Sequence, residues 1–257
     1  TNGRWMRAIA RWRRSDHSHP TPSGDSRYRI GYLPAIAAPD GRVAPGFDVY
    51  GMCVGTGPIV GVMTGNTHTD EHAGAYMMEA AIDWLISDDP MAVEMRSLMT
   101  VYIYPGMNPQ ARYLGLSRFD AQEGVDSNSF WNDLNDHVVY SKVMRDAWTA
   151  DLTTVNWSYD FHDSPGNLSY AEVWGEPPSA WKAAANNRYT GRTGKNIQYR
   201  TNSGSERNIR AWFQINYAVP VQATIEFGAR KVPIFEWQQW GKESLLVLMD
   251  ARAQLFP

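Results

Sequence analysis

The sequence predicts an α/β fold, a single domain whose mostly parallel central sheet is flanked by helices. Three observations carry that reading. Strand-like runs alternate with segments whose apolar residues recur at helical spacing, the pattern of βα units around a parallel sheet. Residues 98–104 form a continuous run of apolar, β-branched and aromatic side chains, as a strand buried on both faces requires. Polar clusters fall where the predicted strands give way to turns, which is where open α/β sheets place their ligand sites.

The 257 residues suit one large domain or two small ones at roughly 100–200 residues per domain, and they are read as one unit spanning 1–257. A hydrophobic content of 43% against 20% charged residues supports a buried core. The net charge of −3 gives no electrostatic case for nucleic acid or an acidic membrane surface, and no apolar run reaches the length of a spanning helix. The single cysteine, Cys53, excludes an internal disulfide, so the fold does not depend on an oxidising compartment. It lies in an apolar run and reads as a small buried hydrophobe. A cytoplasmic location is expected, although a chain starting at Thr1 leaves room for a removed leader. The eleven tryptophans and thirteen tyrosines are read as core and rim packing, with a carbohydrate- or peptide-binding cleft as the alternative.

In chain order, residues 4–14 carry five arginines, with Trp5, Ile9 and Trp12 at helical spacing. A helix docked on its own domain is expected there, a membrane-surface helix being the alternative. With the polar loop 16–26, which holds His17 and His19, it makes up the N-terminal segment 1–27. Strands are predicted over 28–38, 47–55, 58–64, 98–104, 153–161 and 219–227. Helices are predicted over 73–87, 138–149 and 236–255, with a helical turn over 91–96. Residues 166–209 are rich in Gly, Asn, Ser and Arg, and the segment 166–217 is expected to be a long loop-rich insertion near the site, with a short helix over 177–186.

The chemistry starts at His68 and Glu71. They put an imidazole and a carboxylate three residues apart, between a strand and a helix, where both can reach one metal ion. His162 follows another predicted strand and supplies a third ligand. Two histidines and a carboxylate suit Zn²⁺, one per chain, with a fourth position open to water whose pKa the ion lowers toward about 7. Glu226, at the end of a further strand, is placed to take a proton, and Arg118 to stabilise an oxyanion at an attacked carbonyl. Asp163, Ser164 and Asn167 follow the third ligand and are expected to shape the pocket or to support the ligands from behind. Asp70 and His72 read as supporting or surface residues, and His137 as structural.

The order of these elements resembles the succinylglutamate desuccinylase/aspartoacylase family of the zinc carboxypeptidase-like superfamily. The matching residues are His68 and Glu71 with Ala73 and Gly74, then Asn108 with Pro109, Arg118, Gly124, Asp126, Asn128 with Phe130, Asp160 with His162, and Glu226 with Gly228. They cover roughly residues 58–250. The resemblance implies a zinc carboxypeptidase-like fold, His68, Glu71 and His162 as zinc ligands, Glu226 as general base, and Arg118 polarising the carbonyl. It places Asn128 and Ser129 beside the substrate. Ser129 is a departure, because the family has an arginine there that grips a substrate carboxylate. A serine supplies neither charge nor a bidentate fork. Either the substrate lacks a carboxylate at that point, or another arginine serves. Arg188, Arg192, Arg200, Arg207 and Arg210 are candidates by position, and Tyr199 and Tyr217 are candidate hydrogen-bond donors.

The expected activity is zinc-dependent hydrolysis of an amide bond in a small-molecule or peptide substrate. A metallocarboxypeptidase-like peptidase of atypical specificity is the alternative, and a non-catalytic binding protein a third reading. The retained Glu226 opposes the last, since a binder has no need of a buried base.

Overall fold

The structure is a computed structural model that describes residues 2–106, 108–116, 118, 121, 124, 126–132, 139–164, 171–201, 207–228 and 233–257. The chain opens with α1 (Asn2–Trp12), β1 (Ser18–Pro20), β2 (Arg29–Leu33), β3 (Ile36–Ala37), β4 (Val43–Ala44), β5 (Phe47–Tyr50) and β6 (Met52–Val54). Then come β7 (Ile59–Gly65), α2 (His72–Leu85), α3 (Pro90–Leu98), β8 (Met99–Tyr104), α4 (Pro109–Leu114), α5 (Val139–Asp151) and β9 (Trp157–Ser164). The last part holds β10 (Ala171–Trp174), α6 (Ser179–Thr193), β11 (Gln198–Arg200), α7 (Ile209–Tyr217), β12 (Val221–Gly228) and α8 (Ile234–Leu255).

Among the described residues the central sheet has eight strands in the order β1-β6-β8-β7-β9-β12-β10-β11. Its core, β8-β7-β9-β12, is parallel, and antiparallel neighbours flank it. The chain runs from β7 to β8 on one side, then crosses back to lay β9 on the other side of β7. That reversal makes the carboxyl ends of β7 and β9 a topological switch point, where such sheets open a crevice.

Helices cover both faces. On one, α1, α2, α3, α6 and α8 bury Ile9, Trp12, Met77, Met95, Trp181 and Leu245 against Met63, Val101, Tyr159 and Ile225. On the other, α5 and α7 bury Met144, Trp148, Trp212 and Phe213 against Val62 and Tyr104. The two faces follow from alternation along each strand. On β9, Trp157, Tyr159 and Phe161 join the first cluster, which turns Ser158, Asp160 and His162 to the opposite face. On β12, Val221, Ala223 and Ile225 do the same and turn Thr224 and Glu226 with them.

The expected α/β architecture is observed, with several differences in detail. β9 runs on to Ser164, so His162 sits within a strand and not beyond its end. The predicted strands 28–38 and 47–55 are broken: β2 with β5 and β3 with β4 form two small separate sheets, and β6 alone of these joins the central one. Ser18–Pro20, expected as loop, is an edge strand paired with β6. The segment 166–217 is not loop-rich as expected. Its described part contains β10, β11, α6 and α7, because Trp181, Tyr189, Trp212 and Phe213 anchor its polar stretches to the two cores. The N-terminal helix docks on its own domain. Arg11 and the Trp12 indole N–H both reach Asp83 on α2, at 2.7 Å each.

Most tryptophans are core, as expected; Trp12, Trp131, Trp148, Trp157, Trp181 and Trp240 are fully buried. Cys53 is half-buried, and burial followed by the charge of Asp151 pushes its thiol up to about 11, which suits an inert side chain. No described helix is long and apolar enough to cross a membrane.

Candidate metal centre and active site

β7 ends at Gly65, and the chain turns through Asn66 in a left-handed conformation with φ 63°. Asn66 pins this turn from both ends of its amide: Nδ2 donates to the Pro105 carbonyl at 3.0 Å and Oδ1 accepts from Arg112 at 3.2 Å. His68 follows in the turn, and Glu71 is the N-cap residue of α2. The helix can start this close to β9 because residue 74 is glycine: a Cβ there would lie 2.5 Å from the Phe161 carbonyl oxygen. The arrangement brings Glu71 against His162.

His68, Glu71 and His162 are all buried, and one ligand atom of each lies within 4.8 Å of the others. Both histidines turn Nδ1 to the same carboxylate, His68 at 2.6 Å from Glu71 Oε1 and His162 at 2.6 Å from Oε2. Each turns Nε2 to a different carboxylate, His68 to Asp126 at 2.9 Å and His162 to Asp160 at 2.6 Å. Arg118 Nη1 and the Asp163 backbone N–H also donate to Glu71, at 3.2 and 3.1 Å.

The residues fit a divalent cation. An Nε2–H donated to Asp126 or Asp160 fixes a tautomer whose Nδ1 lone pair faces Glu71. Two lone pairs aimed at one carboxylate repel unless positive charge lies between them. Two imidazoles are surrounded by three carboxylates, and two protons or one divalent cation answer that charge equally well. The electrostatics agree. Burial opposes a charged ring at both histidines, yet Asp126 and Glu71 raise the pKa of His68, and Asp160 and Glu71 raise that of His162 well above its ordinary value. Burial would raise Glu71, but His162 and His68 hold it well below the usual carboxylate range.

Next to the triad lies a cavity of about 300 Å³ lined by His68, Arg118, Asp126, Asn128, Ser129, His162, Trp174, Asn208, Arg210, Thr224 and Glu226. Glu226 pairs directly across β12 and β9 with His162, so alternation delivers both to one face. Burial pushes the Glu226 carboxyl up to about 7, with Glu71 and Glu172 acting in the same direction and His162 against it. A carboxylate poised near neutrality is suited to taking and returning a proton.

The other expected site residues are placed as follows. Arg118 lines the cavity, and its Nε donates to Asp126 at 2.8 Å. Asn128 sits with its Nδ2 3.5 Å from His162 and its Oδ1 accepting from the Ile209 N–H at 3.1 Å. Ser129 lines the cavity and brings no charge to it. Asp163 is not among the lining residues, because strand alternation turns it away from His162, toward the first turn of α2. There burial, then the charge of Glu71, pushes it up to about 7. Asp70 and His72 are exposed. His17 and His19 lie away from the triad, near Asp88 and on β1. The hydroxyls of Tyr199 and Tyr217 donate to the carbonyls of Lys182 and Trp148 and do not line the cavity. His137 and Asn167 lie outside the described residues.

Sequence reasoning did not assign roles to Asp126 and Asp160 as the carboxylates orienting the two rings. The signal for Asp160 was present: positions i and i+2 of a strand share a face, so Asp160 and His162 had to be neighbours. Trp174, Asn208 and Thr224 come from distant segments, and only the folded sheet brings them to the triad.

No protein-family model matches the sequence. A 71-residue stretch is 34% identical to human cytosolic carboxypeptidase 6, which amounts to 28% of this chain and 14% of that protein. The chain thus matches about a seventh of the length of that curated relative. A metallo-carboxypeptidase from Burkholderia cenocepacia superposes with a TM-score of 0.75 at 15% identity, covering 99% of this chain and 69% of that one. A succinylglutamate desuccinylase/aspartoacylase from Rhodobacter sphaeroides superposes at 0.53 and 17% identity, covering 85% and 65%. The chain therefore has the zinc carboxypeptidase-like fold that the motif order implied. Of these two branches it lies nearer in shape to the carboxypeptidase.

Proposed function

We propose that this protein is a zinc-dependent hydrolase of an amide bond. The observation that carries the reading is the convergence of two imidazole Nδ1 atoms on Glu71, each ring locked from behind by its own carboxylate, in one cavity with a half-buried Glu226. His68, Glu71 and His162 would hold the ion. When bound, zinc supplies Lewis-acid polarisation of a carbonyl and a lowered pKa for coordinated water. The chain's own residues do the rest. Asp126 and Asp160 keep the rings oriented. Glu226 takes the proton released in the attack and returns it to the leaving nitrogen. Arg118 presents a guanidinium toward the cavity for the oxygen that gains charge.

A metallocarboxypeptidase-like peptidase is the second reading. The higher superposition score with the Burkholderia enzyme and the 71-residue similarity to a cytosolic carboxypeptidase favour it. It uses the same chemistry on a longer substrate. A non-catalytic binder leaves a carboxylate poised near neutrality beside the triad without purpose.

The test is metal analysis combined with turnover of a panel of N-acyl amino acids and short peptides. The purified protein is expected to carry about one zinc per chain. His68→Ala should lose both metal and activity. Glu226→Gln should keep the metal and lose about 10²–10⁴-fold in kcat. Protein without metal, and without affinity for added zinc, would sink the proposal; turnover of peptides but not of N-acyl amino acids would select the second reading.

A further inference from the structure

Taking a proton from one atom and returning it to another needs a carboxylate held in one orientation. The strand beside Glu226 is β10. The alternation that sends Ala171 and Val173 into the core turns Glu172 and Trp174 to the opposite face, and Trp174 lines the cavity. β10 runs antiparallel to β12, with Glu172 opposite Glu226 and Trp174 opposite Thr224. Trp174 is thus the diagonal neighbour of Glu226, and a spacing of roughly 7–8 Å between such positions lies within reach of an aromatic side chain. Glu172 is a second carboxylate, engaged from β11 by Arg200 at 2.5 Å. Of the two side chains, Trp174 brings the donor.

The indole N–H of Trp174 is buried, and no acceptor meets it at close hydrogen-bonding geometry. A buried donor left in that state costs free energy. The group it acts on is the Glu226 carboxyl. Burial opposes the charge of Glu226, with Glu71 and Glu172 on the same side, while His162 and the Trp174 N–H favour it. The backbone that carries the indole is fixed from both sides, because β10 pairs with β12 through Thr224 and with β11 through Arg200. Gly175 follows at φ +121°, a conformation that favours glycine, and its N–H donates to the Arg200 carbonyl at 2.9 Å.

We propose that Trp174 is a positioning residue for Glu226: its indole N–H takes one carboxylate oxygen and leaves the other facing the triad. This rests on the hydrolase reading and deepens it. An indole donates and does not accept. The oxygen it holds therefore stays unprotonated. The proton taken in the attack goes to the other oxygen, on the cavity side, from which it can reach the leaving nitrogen. Glu172, paired with Arg200, offers no such donor.

The test uses the full chain, labelled with nitrogen-15, and two probes, N-acetylphenylalanine and N-acetylphenylalanylphenylalanine. The indole N–H resonance of Trp174 is the one lost in Trp174→Phe, a variant that keeps a ring and removes the donor. Glu226→Gln should shift that resonance and leave those of Trp12 and Trp148 in place. On the probe that turns over, Trp174→Phe should lower kcat about 10-fold, with KM, zinc content and melting temperature retained. In the Glu226→Gln background the same change should cost little more, because the group it positions is already gone. A resonance indifferent to Glu226→Gln overturns the proposal, as does an unchanged kcat in Trp174→Phe. A raised KM with kcat retained also overturns it, since the N–H would then be meeting substrate. If Trp174→Phe does not fold, Trp174→Tyr identifies the resonance and its response to Glu226→Gln decides. If the chain holds no zinc and turns over neither probe, the hydrolase reading fails alone, because the resonance still reads the contact with Glu226.

Discussion

Asp160 shows how one carboxylate controls a site it does not enter. Its 2.6 Å contact with His162 Nε2 fixes the ring's tautomer, and Thr64 Oγ1 donates to its other oxygen at 2.9 Å. Asp160→Asn keeps the shape and removes the charge. Zinc affinity, read by competition with a chelator, is expected to fall about 10–100-fold. Unchanged affinity would mean that Asp160 does not hold the ring. Glu226 sets the pH response. Burial first, then Glu71 and Glu172, raise its pKa to about 7, and a base works only when deprotonated. The value of kcat/KM should therefore fall as pH drops through that region, along an acid limb at 7 or somewhat lower, since a bound cation stabilises the carboxylate. A flat profile between pH 5 and 8 would exclude Glu226 as the base.

At the scale of elements, the site depends on how closely α2 approaches β9. Gly74 permits the approach, and a methyl group there meets the Phe161 carbonyl at 2.5 Å. Gly74→Ala should cost about 1–3 kcal/mol in a denaturant titration and weaken zinc binding, because it pushes Glu71 away from His162. An alanine variant of wild-type stability would show that the helix adjusts freely. The sequence made β9 and β12 readable as strands, and their alternation was legible too. Trp157, Tyr159 and Phe161 against Asp160 and His162, and Ala223 and Ile225 against Thr224 and Glu226, already divide apolar from polar faces. The candidate ligands His68, Glu71 and His162 and the proposed base Glu226 could be picked out because such chemistry needs particular residue types near strand ends, and the fold brings them together. Asp163 was misplaced for the same period-two reason that places His162. The 166–217 segment was misread because its polar composition hides four anchoring aromatics, and its arginines could be sorted only in the fold, where Arg188, Arg192 and Arg200 pair with acidic residues, Arg207 is exposed and Arg210 lines the cavity.

At the scale of the whole molecule, the triad closes the sheet at its switch point. His68 and Glu71 come from the turn between β7 and α2, His162 from β9, and their supports from β9 and the 126–128 segment. A cation there bridges segments 94 residues apart in sequence, from His68 to His162, and the unfolded chain has no equivalent site. Binding to the folded state alone stabilises it by about 2.7 kcal/mol when free zinc is 100 times Kd. For a chain of this size each kcal/mol raises Tm by about 2–4 °C, so the loaded protein should melt about 5–11 °C above the chelator-treated one. His68→Ala should melt at one temperature in both conditions. This separates zinc acting at the triad from zinc acting elsewhere on the surface, because adventitious sites would still respond in the variant. Identical melting of loaded and stripped wild type would mean that the five charged and imidazole groups of this centre are satisfied by protons alone.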